Sequence, residues 1–215
     1  EPLKGDASSR SYYRVSWQDE NYILSVYPGN TDIRSFNDFI HLSKILSQKN
    51  IKVPNIITYN KKDRYIIQED LGKNTLLLYL SQYCSKSIEF KYFQRSLDIL
   101  NSLQKISLDN FFYQNKQRYF DYNFFYREID FTCYYFIKKF LNFSSSHNIL
   151  KKMSQVLEVL TNNNRCIVHR DYHVKNLMVK NDDIIAIDYQ DCHIGPLEYD
   201  IVSLLEDSYY EVSLK

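Results

Sequence analysis

Eight consecutive residues, His169-Arg170-Asp171-Tyr172-His173-Val174-Lys175-Asn176, carry the chemistry of this chain. A carboxylate and an amide on one loop can serve the two ends of a single reaction. Asp171 can stand beside an attacking hydroxyl, orient it and accept its proton. Asn176 can offer its amide oxygen to a metal on a phosphate chain. A further carboxylate closes the apolar run Ile184-Ile185-Ala186-Ile187-Asp188. Magnesium takes one or two protein carboxylates and leaves its other positions to phosphates and water, which suits Asn176 with Asp188. The reaction such groups fit is phosphoryl transfer, in which positioning and charge neutralisation carry the catalysis. His, Asp and Asn are also ordinary turn and cap residues. This loop differs in having a short apolar strand, Cys166 to Val168, before it and a hairpin that delivers Asp188 after it.

Those residues need elements to hold them. Tyr13, Val15 and Trp17 alternate with polar neighbours, as do Tyr22, Leu24 and Val26, so Leu3 to Val26 reads as strand, turn and strand. Thr31 or Asp32 can cap a helix to about Asn50, with Ile33, Phe36, Phe39, Ile40 and Leu46 at helical spacing. A second hairpin spans Ile56 to Gln68. Beyond Gly72 the pattern turns helical: Asn74 to Cys84, Ile88 to Ile106, Tyr119 to Leu141 and His147 to Leu160. The clearest stripe is Phe90, Phe93, Leu97, Leu100 and Leu103. The hairpin of Leu177–Val179 with Ile184–Ile187 and a last helix, Leu197 to Tyr210, complete the reading. The spacing therefore predicts an α+β, bilobal chain, with residues 1–70 a β-rich lobe and 71–215 a mainly helical lobe. The cleft between lobes is the expected small-molecule site.

Composition narrows the function. A net charge of +1 gives no reason to expect nucleic acid or an acidic membrane as partner. Aromatic content of 16% argues against disorder. No apolar run approaches a membrane span. The cysteines at 84, 133, 166 and 192 form no Cys-x-x-Cys pair, which removes a zinc ribbon or thioredoxin motif and suits a reducing cytoplasm. Cys192-His193 near His173 has no standard zinc spacing.

The loop matches the kinase pattern His-Arg-Asp-x-x-x-x-Asn. Three departures set it apart from protein kinases. His173 stands where Lys is usual, Asp188-Tyr189-Gln190 replaces Asp-Phe-Gly, and the short span from Asp188 to Asp200 leaves no activation loop. With its second histidine, the loop resembles the aminoglycoside phosphotransferase and choline kinase superfamily. Three further stretches resemble the bacterial anomeric kinases of N-acetylmuramate and N-acetylglucosamine. They are Gly5 to Arg14, the hinge Gln68-Glu69-Asp70-Leu71-Gly72, and Ile187 to Asp191 followed by Gly195-Pro196 and Tyr199-Asp200. The resemblance implies a kinase-like fold, ATP and Mg2+, a small-molecule sugar acceptor and a role in cell-wall (peptidoglycan) recycling in the cytoplasm.

The resemblance also assigns places. Ser8 and Ser9 fall on a phosphate-covering turn, where small residues let backbone amides approach phosphates. The strand Tyr22–Tyr27 lacks the lysine that usually holds those phosphates, so Arg10 or Arg14 is the candidate replacement; either reads equally as a solvated arginine. Gln68, Glu69 and Asp70 hold adenine through their backbone. Asp200 braces the loop, and His173 supports Asp171 or faces the acceptor. Asp121 and Glu128 share a helix face among aromatic rings, which suits a sugar but equally a core helix with one wet side. Two alternatives stay open: another acceptor, such as an aminoglycoside or choline, and a non-catalytic nucleotide-binding module, which the missing lysine favours and Asp171 disfavours. The chain opens at Glu1 and stops soon after Asp200, where the resembled family continues with helices, so it reads as truncated at its C-terminus.

Overall fold

A computed structural model describes residues 1–3, 10–29, 33–83, 85–109, 111–112, 118–143, 146–161 and 165–213. Strand β1 is Pro2–Leu3, β2 Ser11–Trp17 and β3 Glu20–Val26. Between β2 and β3, Gln18 and Asp19 both take left-handed backbone, at φ 51° and 63°. A two-residue hairpin loop needs that conformation to match the strand twist. The turn is therefore only Gln18 and Asp19, and the polar Glu20 and Asn21 already belong to β3. Helix α1 is Ile33–Gln48; the expected caps Thr31 and Asp32 lie outside the described residues. Strands β4, Ile56–Asn60, and β5, Tyr65–Glu69, finish a sheet of order β1-β2-β3-β5-β4.

The helices follow. Thr75 caps α2, Leu76–Gln82, by accepting from the Leu78 amide, and Ser85 caps α3, Lys86–Gln104, by accepting from Ile88. The buried stripe of α3 is Glu89, Tyr92, Phe93, Ser96, Leu100 and Leu103. Phe90, expected in that stripe, is one position off it and 58% exposed. Glu89 tolerates burial because its carboxylate accepts the backbone amide and the hydroxyl of Ser213. Helix α4, Tyr122–Thr132, runs on as a π-helical stretch to Phe140, and α5 is Ser146–Thr161.

Short strands then frame the functional loop. β6 is Arg165–Val168, β7 Leu177–Lys180, β8 Asp183–Ala186 and β9 His193–Pro196, before helix α6, Tyr199–Leu205. β7 pairs with β8 and β6 with β9. β9 is a strand that the Cys-His-Ile-Gly-Pro stretch does not announce, because it is defined by its partner β6 rather than by alternation. One core joins Phe36, Phe39 and Leu42 of α1 to Leu103 of α3, Ile167 of β6, Tyr189 and Ile194. A second packs α2 and α3 on Tyr172, Val174 and the β7–β8 hairpin. Among the described residues, no helix is long and apolar enough to cross a membrane.

The β6–β9 contact depends on a missing side chain. A Cβ on Gly195 would meet Val168 Cγ2 at 2.9 Å and Phe120 Cδ2 at 3.1 Å. Both neighbours are fully buried and cannot yield. Gly195→Ala should cost about 1–3 kcal/mol in urea denaturation; an unchanged midpoint would contradict this packing.

Candidate active site

Residues 169–176 form the loop between β6 and β7. The backbone bends sharply at Arg170, with φ 84°. Such a bend in a residue with a side chain persists only when its surroundings fix it. Here Asp200, in the first turn of α6 and 1% exposed, accepts the His169 amide at 2.6 Å and the Arg170 amide at 3.0 Å. Burial drives the Asp200 pKa up to about 7, against the pull of those two bonds. Asp200 thus holds the loop from behind. The Tyr172 hydroxyl donates to the Ser96 carbonyl of α3 at 2.8 Å, and the Val174 amide donates to Asp207 at 2.8 Å.

The loop is also stitched to the Asp188 segment. The buried His169 ring donates from Nε2 to the Ile187 carbonyl at 2.9 Å, because a carbonyl can only accept. Burial lowers its pKa to about 4, so the ring is neutral. The Ile187 amide donates to the Asn176 carbonyl at 3.0 Å. Within the loop, Asn176 Nδ2 donates to the Asp171 carbonyl at 3.0 Å. That bond leaves Asn176 Oδ1 without a partner among the described residues.

Asp188 does not end a strand, as the apolar run suggests. β8 stops at Ala186, and Asp188 takes a left-handed conformation at φ 60°, ψ 30°. Asp171, Asn176 and Asp188 line one cleft of about 950 Å3, together with Arg10, Gln68 and Leu71. Burial raises the Asp188 pKa; Asp171 and Asp191 push the same way, while Arg10 opposes them. Asp188 thus stands among neighbouring acids, with Arg10 as its ion-pair partner. With Asn176 lining the same cleft, these oxygen donors fit magnesium. Among the described residues no group of three or more His, Cys, Asp and Glu forms a metal cage. An open site completed by phosphates and water has that composition.

The remaining sequence candidates separate. Arg10 Nη2 stands 3.5 Å from Asp188 Oδ1, with its guanidinium over the rings of Tyr12 and Tyr27 at 5.5 and 5.7 Å. Arg14 is bound elsewhere: its Nε donates to Asp70 Oδ2 at 2.5 Å and its Nη2 to Asp70 Oδ1 at 3.1 Å and the Gly72 carbonyl at 3.0 Å. Of the two, Arg10 is the one beside Asp188. Gln68 Oε1 is buried without a hydrogen bond at the cleft wall, and Glu69 accepts from Lys180 and Asn55. Ser8 and Ser9 lie outside the described residues. Asp121 is the N-cap of α4, accepting the Phe124 amide at 2.8 Å, so its carboxylate has a local structural task. Neither it nor Glu128 nor His173 lines the cleft. The His173 ring packs edge-on against Tyr209 at 5.3 Å, with Nε2 3.4 Å from Asn176 Nδ2.

Arg118 and Lys180 went unread in the sequence, since each acts through a partner far along the chain. Arg118 pairs with buried Asp38 of α1 and donates to the Gln190 carbonyl at 3.1 Å, with Asp191 at 3.9 Å. Phe39 of α1 stacks on Tyr189 at 4.8 Å. These contacts tie α1 to the turn after Asp188.

Residues 1–213 match the sequence profile of the phosphotransferase enzyme family (APH). A Pseudomonas aeruginosa protein named N-acetylmuramate/N-acetylglucosamine kinase is 24% identical over 212 residues, covering 97% of this chain and 60% of its own length. A Neisseria meningitidis protein of the same name is 26% identical, covering 96% of this chain and 60% of its own length. The chain thus spans about 60% of the length of these curated relatives. The ADP-bound aminoglycoside phosphotransferase APH(2'')-Ib superposes with a TM-score of 0.71 at 15% identity, over 98% of this chain and 72% of that one. The streptomycin–ATP–APH(2'')-IIa complex gives 0.69 at 17% identity, over 99% and 72%. At these identities the likeness establishes the fold, the two-lobed kinase-like α+β arrangement.

The neutral His169 sets a pH dependence. Its folded pKa of about 4 lies below the ordinary value of 6.5. The unfolded chain therefore takes up the proton first, and stability is lost as pH falls through that window. The ceiling is roughly 3 kcal/mol. Urea denaturation from pH 7 to 4 should show the wild type losing about 3 kcal/mol more than His169→Gln. Asp200 acts in the opposite sense in both proteins and cancels; parallel curves would contradict this role for His169.

Proposed function

Because this chain belongs to the phosphotransferase enzyme family, we propose that it moves the γ-phosphoryl group of ATP to a hydroxyl of a small sugar, the anomeric hydroxyl of N-acetylmuramate or N-acetylglucosamine. The observation that carries this reading is the meeting of Asp171, Asn176 and Asp188 on one cleft that also receives Arg10. The identity of the sugar rests on the names of the curated relatives. The corresponding biological role is cell-wall sugar recycling in the cytoplasm.

Each group has a task. Residues 1–70 act as the nucleotide lobe and 71–215 as the catalytic lobe. The hinge at Gln68–Asp70 receives the adenine, and Arg10 faces the phosphates in place of a strand lysine. The Asp188 carboxylate and Asn176 Oδ1 would hold magnesium, which would supply positive charge to the phosphates. Asp171 orients the acceptor hydroxyl and takes its proton. The acceptor oxygen forms its bond to the γ-phosphorus as the bond to the β–γ bridging oxygen breaks, and ADP leaves with that electron pair. Ser8 and Ser9 stand close in sequence to Arg10 and are assigned to phosphate contact on that ground. Asp121, Glu128 and His173 remain acceptor-side candidates; their positions outside the cleft lining give them no direct support.

Phosphate transfer from Mg-ATP to each sugar, followed by phosphorus NMR, tests the reading. The expected product is a sugar 1-phosphate whose rate of formation falls roughly 10^2–10^4-fold in Asp171→Asn. Nucleotide binding without turnover on any sugar, aminoglycoside or choline would instead support a non-catalytic module. Arg10→Met should raise the KM for ATP several-fold; an unchanged KM would remove Arg10 from the phosphate site.

A further inference from the structure

The hinge is gripped from both sides by cations that approach from different parts of the fold. Arg14 comes from β2 and binds both oxygens of Asp70 and the Gly72 carbonyl. Lys180 comes from the β7–β8 hairpin and donates to Glu69 Oε1 at 2.7 Å and to the Asp70 carbonyl at 3.0 Å. Asp70 Oδ1 also accepts the Gly72 amide at 2.8 Å, closing a turn around Leu71. Gly72 sits at φ 84°, a conformation that glycine adopts without strain. The Asp70 side chain is 8% exposed and that of Arg14 13%, so the pair is largely desolvated and held in a bidentate geometry.

The peptide inside this turn is the interesting one. Leu71 lines the cleft, and its amide donates to no described residue. Its neighbours on both sides are fixed: the Asp70 carbonyl by Lys180, and the Gly72 amide and carbonyl by Asp70 and Arg14. The Leu71 amide, a donor without a partner among the described residues, thus sits between peptide groups that are held from both sides. A heteroaromatic ring nitrogen is the partner such a donor fits.

We propose that Arg14, Asp70 and Lys180 form a two-sided clasp that aims the Leu71 amide at the nucleobase, making Lys180 a positioning residue that sets purine discrimination. The inference rests on the nucleotide-binding reading above. It predicts an effect on the base-bearing part of the ligand alone, because neither Lys180 nor Asp70 reaches the Asp188 end of the cleft through any hydrogen bond or ion pair among the described residues.

Displacement of a fluorescent ATP analogue tests it without requiring turnover. ATP, GTP and inorganic tripolyphosphate would be the competitors, against wild type, Lys180→Met and Lys180→Arg. The expected result is about tenfold weaker ATP binding by Lys180→Met, a collapse of the ATP-to-GTP preference, unchanged tripolyphosphate binding, and recovery in Lys180→Arg. Equal weakening of ATP and tripolyphosphate, or no change in either, would overturn the clasp. Arg14→Lys, which keeps the charge and loses the bidentate geometry, should reproduce the loss of discrimination with tripolyphosphate binding unchanged. A wild type that binds neither ATP nor tripolyphosphate would overturn the nucleotide reading itself, and the clasp with it.

Discussion

One buried carboxylate holding two backbone amides fixes the geometry on which the cleft depends. Asp200 accepts His169 and Arg170 where the chain bends to a positive φ. Without that brace the bend has no compensation, and Asp171, the next residue, has no defined direction. The cost of burying Asp200 is visible in its raised pKa. A protein tolerates such a group where it fixes a backbone conformation that packing alone would not select.

From that brace the order spreads by short steps. His169 reaches Ile187 and so sets the approach to Asp188; Asn176 holds the Asp171 carbonyl and presents its own oxygen. Tyr172 anchors the same loop to α3. On the far side, Arg118 connects Asp38 of α1 to the turn after Asp188. The core has the same logic: α1 shares apolar contacts with Tyr189 and Ile194, so the helix of the β-rich part packs directly on the segment that follows Asp188.

Much of this was legible in residue order. The alternations at Tyr13–Trp17 and Tyr22–Val26 gave β2 and β3, and the helical spacings of Asn74–Cys84 and Ile88–Ile106 placed α2 and α3 to within two residues at each end. Those signals are local, and local periodicity survives without knowledge of the fold. Phe90 shows the limit: on an amphipathic helix a one-position error in the stripe exposes a whole ring. Asp121 shows another. Sharing a helix face with Glu128 is a statement about angle, whereas its use as the α4 cap depends on where the helix begins.

The sequence by itself determined the chemistry: which carboxylates and amide could serve phosphoryl transfer, and that a β-rich segment precedes a helical one. Those are properties of residue type and short-range spacing. The tertiary structure alone decided which arginine stands beside Asp188, that Asp188 lies beyond its strand in left-handed backbone, that β9 exists, and that Lys180 grips the hinge. Each of these depends on a partner tens of residues away, Arg14 with Asp70 or Lys180 with Glu69, and long-range pairing leaves no periodic trace in the chain.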